Sequence, residues 1–539
     1  MSRSTGSRST GSRSTGSRST GSRSTGSRST GSRSTGSRST GAIVSLALLL
    51  AAPAAAQTPC QTGGTPGAGP GSSPDAQTAP GPSEKTEPGA AETRQATPGG
   101  ESAVKPGEEE AKGILNRSNL FGDLGGLRTR LSDHGVTFGL TETSEVFGNP
   151  SGGVRQGVIY EGLTQFGIGV DTEKAFGLVG GTINATGYQI HGRGLSANAL
   201  DNNLNTVSSL EASRGALLFE LWYEQVLLDK KLAIRVGQLA ADQEFMISQY
   251  AGLFLNHTFG WSTFPSTDLP SGGPAYPLAT PGVRVKYIPR DDLSLLFGVF
   301  NGDPAGPDSG IPQDRDPSGT AFRLRDGVFI IAEAQYGANQ GDGATGLPGT
   351  YKAGAYYNSQ NATDQLRNGS GSSLADPTGT AAIGRNRPGN YGLYVSADQL
   401  AYREPGTKDQ GLGVFGRVMG APGDRNLVNF YFDAGVTYKG AIPGRNSDTL
   451  GLAFALARIS DTASQFDMAT SRATGGAYPV RRHESVLELT YQAQIAPWWQ
   501  VQPTAQYVFN LNGGVPNPQQ PSKRLPDAAV LGLRTVITF

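Results

Sequence analysis

The last eleven residues, 529–539, constrain the fold most: Leu531, Leu533, Thr535, Ile537 and Phe539 alternate with Val530, Gly532, Arg534, Val536 and Thr538. Successive side chains of a strand point to opposite faces, so this segment presents one apolar face and one face carrying Arg534 and small or polar groups. Its length is that of a strand tilted through a bilayer, about 9 to 11 residues. An edge strand of a soluble sandwich can show the same pattern. Repetition along the chain separates the two readings.

The alternation recurs from Val136, predicting strands at 136–147, 160–172, 178–190, 216–226, 231–239, 282–288, 293–300 and 328–337. A second set follows at 350–357, 391–400, 411–419, 427–439, 448–459, 485–495, 499–509 and 529–539. In the twelfth, Val428, Phe430, Phe432, Ala434, Val436 and Tyr438 oppose Asn429, Tyr431, Asp433, Thr437 and Lys439, one set suited to lipid and the other to water. Connections sort by parity. Segments 173–177, 227–230, 289–292 and 496–498 are turn-like, whereas 191–215, 240–281, 301–327, 358–390, 460–484 and 510–528 are long. These features predict an all-β fold, a transmembrane antiparallel up-and-down β-barrel of about 16 strands with short periplasmic turns and long external loops. The stretch 420–426 is short where a long loop is expected, so boundaries there are expected to shift. A terminal Phe after such a strand resembles the signal read by the outer-membrane assembly machinery. The expected setting is the bacterial outer membrane, with its lipid and lipopolysaccharide around the barrel.

No run of 18 apolar residues exists to cross a bilayer as a helix. One cysteine, Cys60, and four scattered histidines, His134, His191, His257 and His483, exclude a disulfide framework and offer no metal spacing. No catalytic residue, metal or cofactor is predicted.

Residues 2–41 are eight copies of Ser-Arg-Ser-Thr-Gly, followed by an apolar run, Ala42–Ala51, and by Pro53-Ala54-Ala55-Ala56. The order of basic, apolar and small-residue regions predicts residues 1–56 as a repeat-extended signal peptide cleaved near Ala56. Cys60 lacks the small apolar neighbours of a lipoprotein box. Without the leader the chain has 37 basic and 45 acidic residues, a balance that argues against nucleic acid as a partner. Residues 57–113 are rich in Pro, Gly and Glu, including Glu108-Glu109-Glu110, and are expected to form a disordered periplasmic linker. The barrel domain is assigned to 114–539. Its opening, with Leu120, Leu124, Leu127 and Leu131 at helical spacing, predicts a short amphipathic helix that Gly122, Gly125 and Gly126 weaken.

The segment Gly122–Leu131, followed by Gly135–Leu140, resembles the opening of the OprB-type carbohydrate-selective porins. So do Leu221-Trp-Tyr-Glu-Gln225, Arg235-Val-Gly-Gln-Leu239 leading to Glu244-Phe245, Phe259-Gly-Trp261, Gly273–Leu278 with Pro281–Arg284, and Phe300–Pro304. The resemblance spans about 114–539 and is densest before 305. It implies a water-filled pore for passive diffusion of mono- and oligosaccharides such as glucose, with a homotrimer as one arrangement such barrels take.

The residues offer chemistry for that task. Along 216–226, Leu217, Phe219, Leu221 and Tyr223 are expected on one face and Glu220, Trp222 and Glu224 on the other. Carboxylates accept hydroxyl protons, and an indole gives a flat apolar surface to the C–H face of a sugar. Arg235, Arg284 and Lys286 add donors on neighbouring strands and keep the net charge low. The longest connection, 240–281, carries Phe245, Tyr250, Phe254, Phe259, Trp261, Phe264 and Tyr276. So aromatic a loop is expected to fold into the mouth or lumen. There Trp261 and its neighbours either form a slide for sugar rings or pack the loop against the wall. Two other functions remain to be separated: a general-diffusion or anion-selective porin, and a glycosidase using Glu220 and Glu224. Four residues along a strand separate two carboxylates by roughly 13 Å, beyond the roughly 5 to 9.5 Å of glycosidase pairs.

Overall fold

The computed structural model describes residues 113–341, 344–376, 383–476 and 478–539. The expected signal peptide and all of the expected linker except Gly113 lie outside the described residues.

Sixteen strands form one closed antiparallel barrel. They are β1 (Val136–Ser151), β2 (Gly157–Asp171), β3 (Gly181–Gly192), β4 (Gly215–Leu227), β5 (Leu232–Leu239), β6 (Thr280–Arg290), β7 (Leu293–Asn301) and β8 (Val328–Ala338). The second half comprises β9 (Gly349–Asn358), β10 (Asn390–Arg403), β11 (Gly411–Gly420), β12 (Val428–Lys439), β13 (Thr449–Ile459), β14 (His483–Ala496), β15 (Trp499–Phe509) and β16 (Ala528–Thr538). Each strand pairs with its neighbours in sequence, and β1 closes on β16 from Thr141↔Thr538 to Ser151↔Ala529. Closure leaves none of these sixteen strands with an unpaired edge, the condition for crossing lipid with strands.

Inward and outward residues alternate as expected. On β16, Leu531 and Leu533 are exposed outward while Val530 is buried. On β12, Phe430 and Val436 face out and Tyr431, Asp433 and Thr437 are buried inside.

Three expectations are corrected. The 421–427 connection is truly short, and the strands beside it end where the alternation ends. The N-terminal helix covers only Leu127–Asp133. Positive φ angles at Gly122, Leu124, Gly125 and Gly126 break it upstream, so Leu120 and Leu124 lie in turns. On β4 a bulge interrupts the face pattern. Thr186 pairs with Glu220 but Gly187 with Leu218, which leaves Phe219 as an extra residue. Leu217 and Phe219 are therefore buried inside, Phe219 with its ring 4.6 Å from Tyr188, whereas Leu221 faces out.

The N-terminal segment clasps the turn rim of the barrel. Leu120 N–H donates to the Thr538 carbonyl at 2.9 Å, and the Phe121 and Phe539 rings lie 5.4 Å apart. Arg128 donates to the Phe539 carbonyl and sits 4.6 Å above the Phe138 ring. Deleting Phe539 removes a ring contact and an acceptor for Arg128 together. It is expected to lower the yield of folded barrel and leave conductance per channel unchanged, as read by heat-modifiable gel mobility and planar-bilayer recording. Normal surface levels of the deletion would overturn this.

Candidate functional site: the constricted pore

The connection 240–279 between β5 and β6 folds into the barrel and is bonded to the far wall. Arg417 on β11 donates to four of its backbone carbonyls: Met246 at 3.1 Å, Gly260 at 2.8 Å, Thr258 at 2.9 Å and Phe259 at 2.9 Å. Asp433 on β12 anchors that guanidinium at 2.5 Å, and both side chains are fully buried. Glu333 accepts from Met246 N–H at 2.8 Å, Asp398 from Ser248 Oγ at 2.6 Å and from Tyr250 N–H at 3.1 Å. Glu488 accepts from Leu255 and Asn256 N–H at 2.8 and 3.0 Å. Inward polar residues of five strands thus supply the partners that an irregular backbone inside a barrel must find. Glycines let the loop come close. A Cβ at Gly451 would lie 2.5 Å from Leu253, and one at Gly413 would lie 2.3 Å from the Tyr250 ring.

The aromatic residues of this loop are packing. Phe245, Phe254, Phe259, Trp261 and Phe264 are all buried in the main apolar cluster. Trp261 is 5% exposed and its indole donates to the Gly272 carbonyl at 2.9 Å. Its placement does not match the pore-lining role expected for it. Tyr250 is the exception, partly exposed on a cavity.

Five of the other expected residues converge on one wall. Glu224, Arg235 and Arg284 lie in register across β4, β5 and β6. Two guanidiniums directly opposite each other repel. The loop resolves this with a residue the sequence reading had not assigned to the site, Glu244. Glu224 bonds Arg235 at 3.0 Å and Arg284 at 2.6 Å, and Glu244 bonds Arg235 at 2.7 Å and Arg284 at 2.6 Å. Two cations and two anions close a square that ties the loop to the wall. Burial would raise the Glu244 carboxyl, but Arg235 and Arg284 outweigh it and hold it below the usual carboxylate range. The signal for Glu244 was a charge count: a Glu-Arg-Arg row needs one more carboxylate.

Trp222 is 7% exposed, with the Arg235 guanidinium 3.8 Å above its ring and its indole N–H aimed at Glu220, 3.4 Å away. Glu220 also accepts from Ala240 N–H at 3.0 Å, at the base of the loop. Gly237 lies opposite Trp222, and a Cβ there would come within 2.6 Å of the Trp222 Cα. Lys286 sits two residues beyond Arg284 on the same face of β6, partly exposed.

Beneath the loop a cavity of about 1060 Å³ opens to the turn rim. Its floor is Ser248, Gln249, Tyr250, Gly252 and Leu253, and its wall includes Thr141, Thr143, Gln165, Thr437, Thr449, Gln492, Gln494, Gln500 and Gln502. Sequence reading missed this amide and hydroxyl wall. Each residue is unremarkable alone, and only closure of the barrel brings β1, β2 and β12 to β15 together.

The family model for carbohydrate-selective porins of the OprB family matches residues 155–539. The chain belongs to that family. It is 27% identical over 415 residues to Porin B of Pseudomonas aeruginosa, an alignment covering 74% of this chain and 88% of Porin B. It is 22% identical over 453 residues to the putative porin QuiX of Acinetobacter baylyi, covering 79% and 94%. The high-pH structure of Pseudomonas putida OprB shares the fold, with TM-score 0.70 at 23% identity over 79% of this chain and 100% of that one. This OprB-family protein is a carbohydrate-selective porin of the bacterial outer membrane, a channel with its short-turn rim on the periplasmic side.

Proposed function

We propose that sugars such as glucose are selected where the infolded loop meets the wall of Glu220, Trp222, Glu224, Arg235, Arg284 and Lys286, and then leave through the amide-lined cavity. The observation carrying this is a charge-balanced constriction that leads to a wall of amides and hydroxyls. The Arg235–Arg284–Glu224–Glu244 square cancels its own charge, and the cavity wall presents amides and hydroxyls that donate and accept at once. An uncharged polyol exchanges its water hydrogen bonds on such walls, while an ion gains little. Trp261 is left out of this reading because it is buried in the loop. Glu220 and Glu224 are engaged with Trp222, Arg235 and Arg284, which leaves no free acid and base pair and supports transport without catalysis.

A general-diffusion or anion-selective pore is the second reading, favoured by the basic excess among the charged cavity residues. Sugar block of ion current separates the two. Weak pore sites of about −3 to −4 kcal/mol correspond to millimolar affinities. Glucose or maltose at roughly tens of millimolar is therefore expected to reduce single-channel current. If a whole panel of sugars leaves the current unchanged, the sugar path is lost and a general pore remains.

Trp222→Ala is expected to weaken that block by about 1–2 kcal/mol, because the buried indole holds the Arg235 guanidinium in place at the constriction. Trp222→Phe should retain most of the effect. Titration of current against sugar for the three proteins checks it.

A further inference from the structure

In one corner of the cavity an aromatic ring and an unpaired guanidinium come together. Tyr250 is the only aromatic among the described residues that line the cavity. Asp398 accepts from its N–H at 3.1 Å, and its ring lies on Gly413 of β11, where a Cβ would come within 2.3 Å of it. Gly411, two residues along the same inward face and roughly 7 Å away by strand rise, pairs with Arg403 of β10. A bulge turns that arginine inward. Leu400 pairs with Gly413 and Tyr402 with Leu412, so Ala401 is an extra residue, Tyr402 points out and Arg403 lines the cavity.

The buried Nε of Arg403 has no hydrogen-bond partner, and no carboxylate pairs with this guanidinium among the described residues. Lys408, which also lines the cavity, is likewise without an ion-pair partner among them. The other charges at this mouth are matched, Lys439 with Asp409 and Arg534 with Glu145. Burial and the Asp398 carboxylate push the Tyr250 hydroxyl up to about 12 while Arg403 draws it down, so the ring carries a neutral donor within the field of the guanidinium.

We propose that Tyr250 and Arg403 form a subsite for sugars that carry a carboxylate, such as uronates, at the periplasmic end of the pore. It goes beyond the neutral-sugar path proposed above and shares only its exit cavity. The planar fork of Arg403 takes the carboxylate, the Tyr250 ring takes the C–H face of the sugar, and the amides of Gln492, Gln494 and Gln500 exchange hydrogen bonds with its hydroxyls. Lys408 adds attraction for the anion. A simple carboxylate satisfies only the guanidinium and a neutral sugar only the ring and amides, so a uronate gains both sets of contacts.

The test is single-channel recording of the full chain at about 0.1 M KCl, where charges attract over about 10 Å. Glucose, potassium glucuronate and potassium acetate are each titrated against the ion current. Glucuronate should reach half-block at roughly one tenth of the glucose concentration, the order of one added charge-assisted bond at a partly solvated site, and acetate should not block. Arg403→Gln should bring the ratio of glucuronate to glucose block to about one, and Arg403→Lys, which keeps the charge without the fork, should fall between. Tyr250→Leu should weaken glucuronate block severalfold, whereas Tyr250→Phe should keep most of it. Glucuronate block without any glucose block would support this subsite and remove the neutral-sugar path. Equal block by glucose and glucuronate in wild type, acetate blocking as well as glucuronate, or an undiminished glucuronate advantage in Arg403→Gln overturns the proposal.

Discussion

Arg417→Ala is expected to release the constriction loop and open the pore while the barrel still forms. The substitution orphans four buried carbonyls of the 246–260 segment and leaves Asp433 without its partner. Breaking a buried pair from one side costs about 3–5 kcal/mol, concentrated here in the contact between loop and wall. The sixteen-strand hydrogen-bond ladder does not depend on it. The variant should therefore keep its β signal in detergent, melt at a lower temperature, conduct roughly severalfold more, and lose most of its sugar block. A second variant separates loop docking from an orphaned charge. Arg417→Met with Asp433→Leu removes both charges, so stability should recover toward wild type while the loop stays loose, since neither replacement donates to carbonyls. Wild-type conductance in both would show that the loop is held by its apolar packing alone.

Arg284→Ala should change selectivity. Its guanidinium is nearly buried and bonds both Glu224 and Glu244. Without it, Arg235 alone faces two carboxylates, and the constriction gains one net negative charge. Reversal potentials under a salt gradient are expected to move toward cations, and the sugar block should weaken as the corner of the loop at Glu244 loosens. The lost charge-assisted bonds are worth about 1.5–3 kcal/mol each. Arg284→Lys keeps the charge but cannot span two carboxylates with a planar fork, so it should restore selectivity and leave sugar affinity impaired. Unchanged reversal potential in Arg284→Ala would mean that ions do not pass near this wall.

The strands were legible because a lipid-facing wall imposes a period of two on every segment that crosses it, and no tertiary contact can relax that demand. Leu531 and Leu533 against Arg534, or Phe430 and Val436 against Asp433, can be read one strand at a time. The barrel, its parity of turns and loops, and the inward facing of Glu220, Trp222 and Glu224 follow from the same rule. The bulge at Phe219 does not, because an extra residue is decided by pairing with Thr186 and Gly187 rather than by any local pattern. The roles of the inward polar residues were equally hidden. Arg417, Glu333, Asp398 and Glu488 grip a loop, while Thr437, Gln492 and Gln500 face a cavity, yet all are polar residues at inward positions. Sequence determined which side of the wall most strand residues face, since burial in lipid or lumen is fixed by alternation wherever no bulge shifts it, as one does at Leu217 and Phe219. Tertiary structure decided what each inward residue meets, because the fold of residues 240–279 across the lumen sets which groups it pairs with and which it leaves to water.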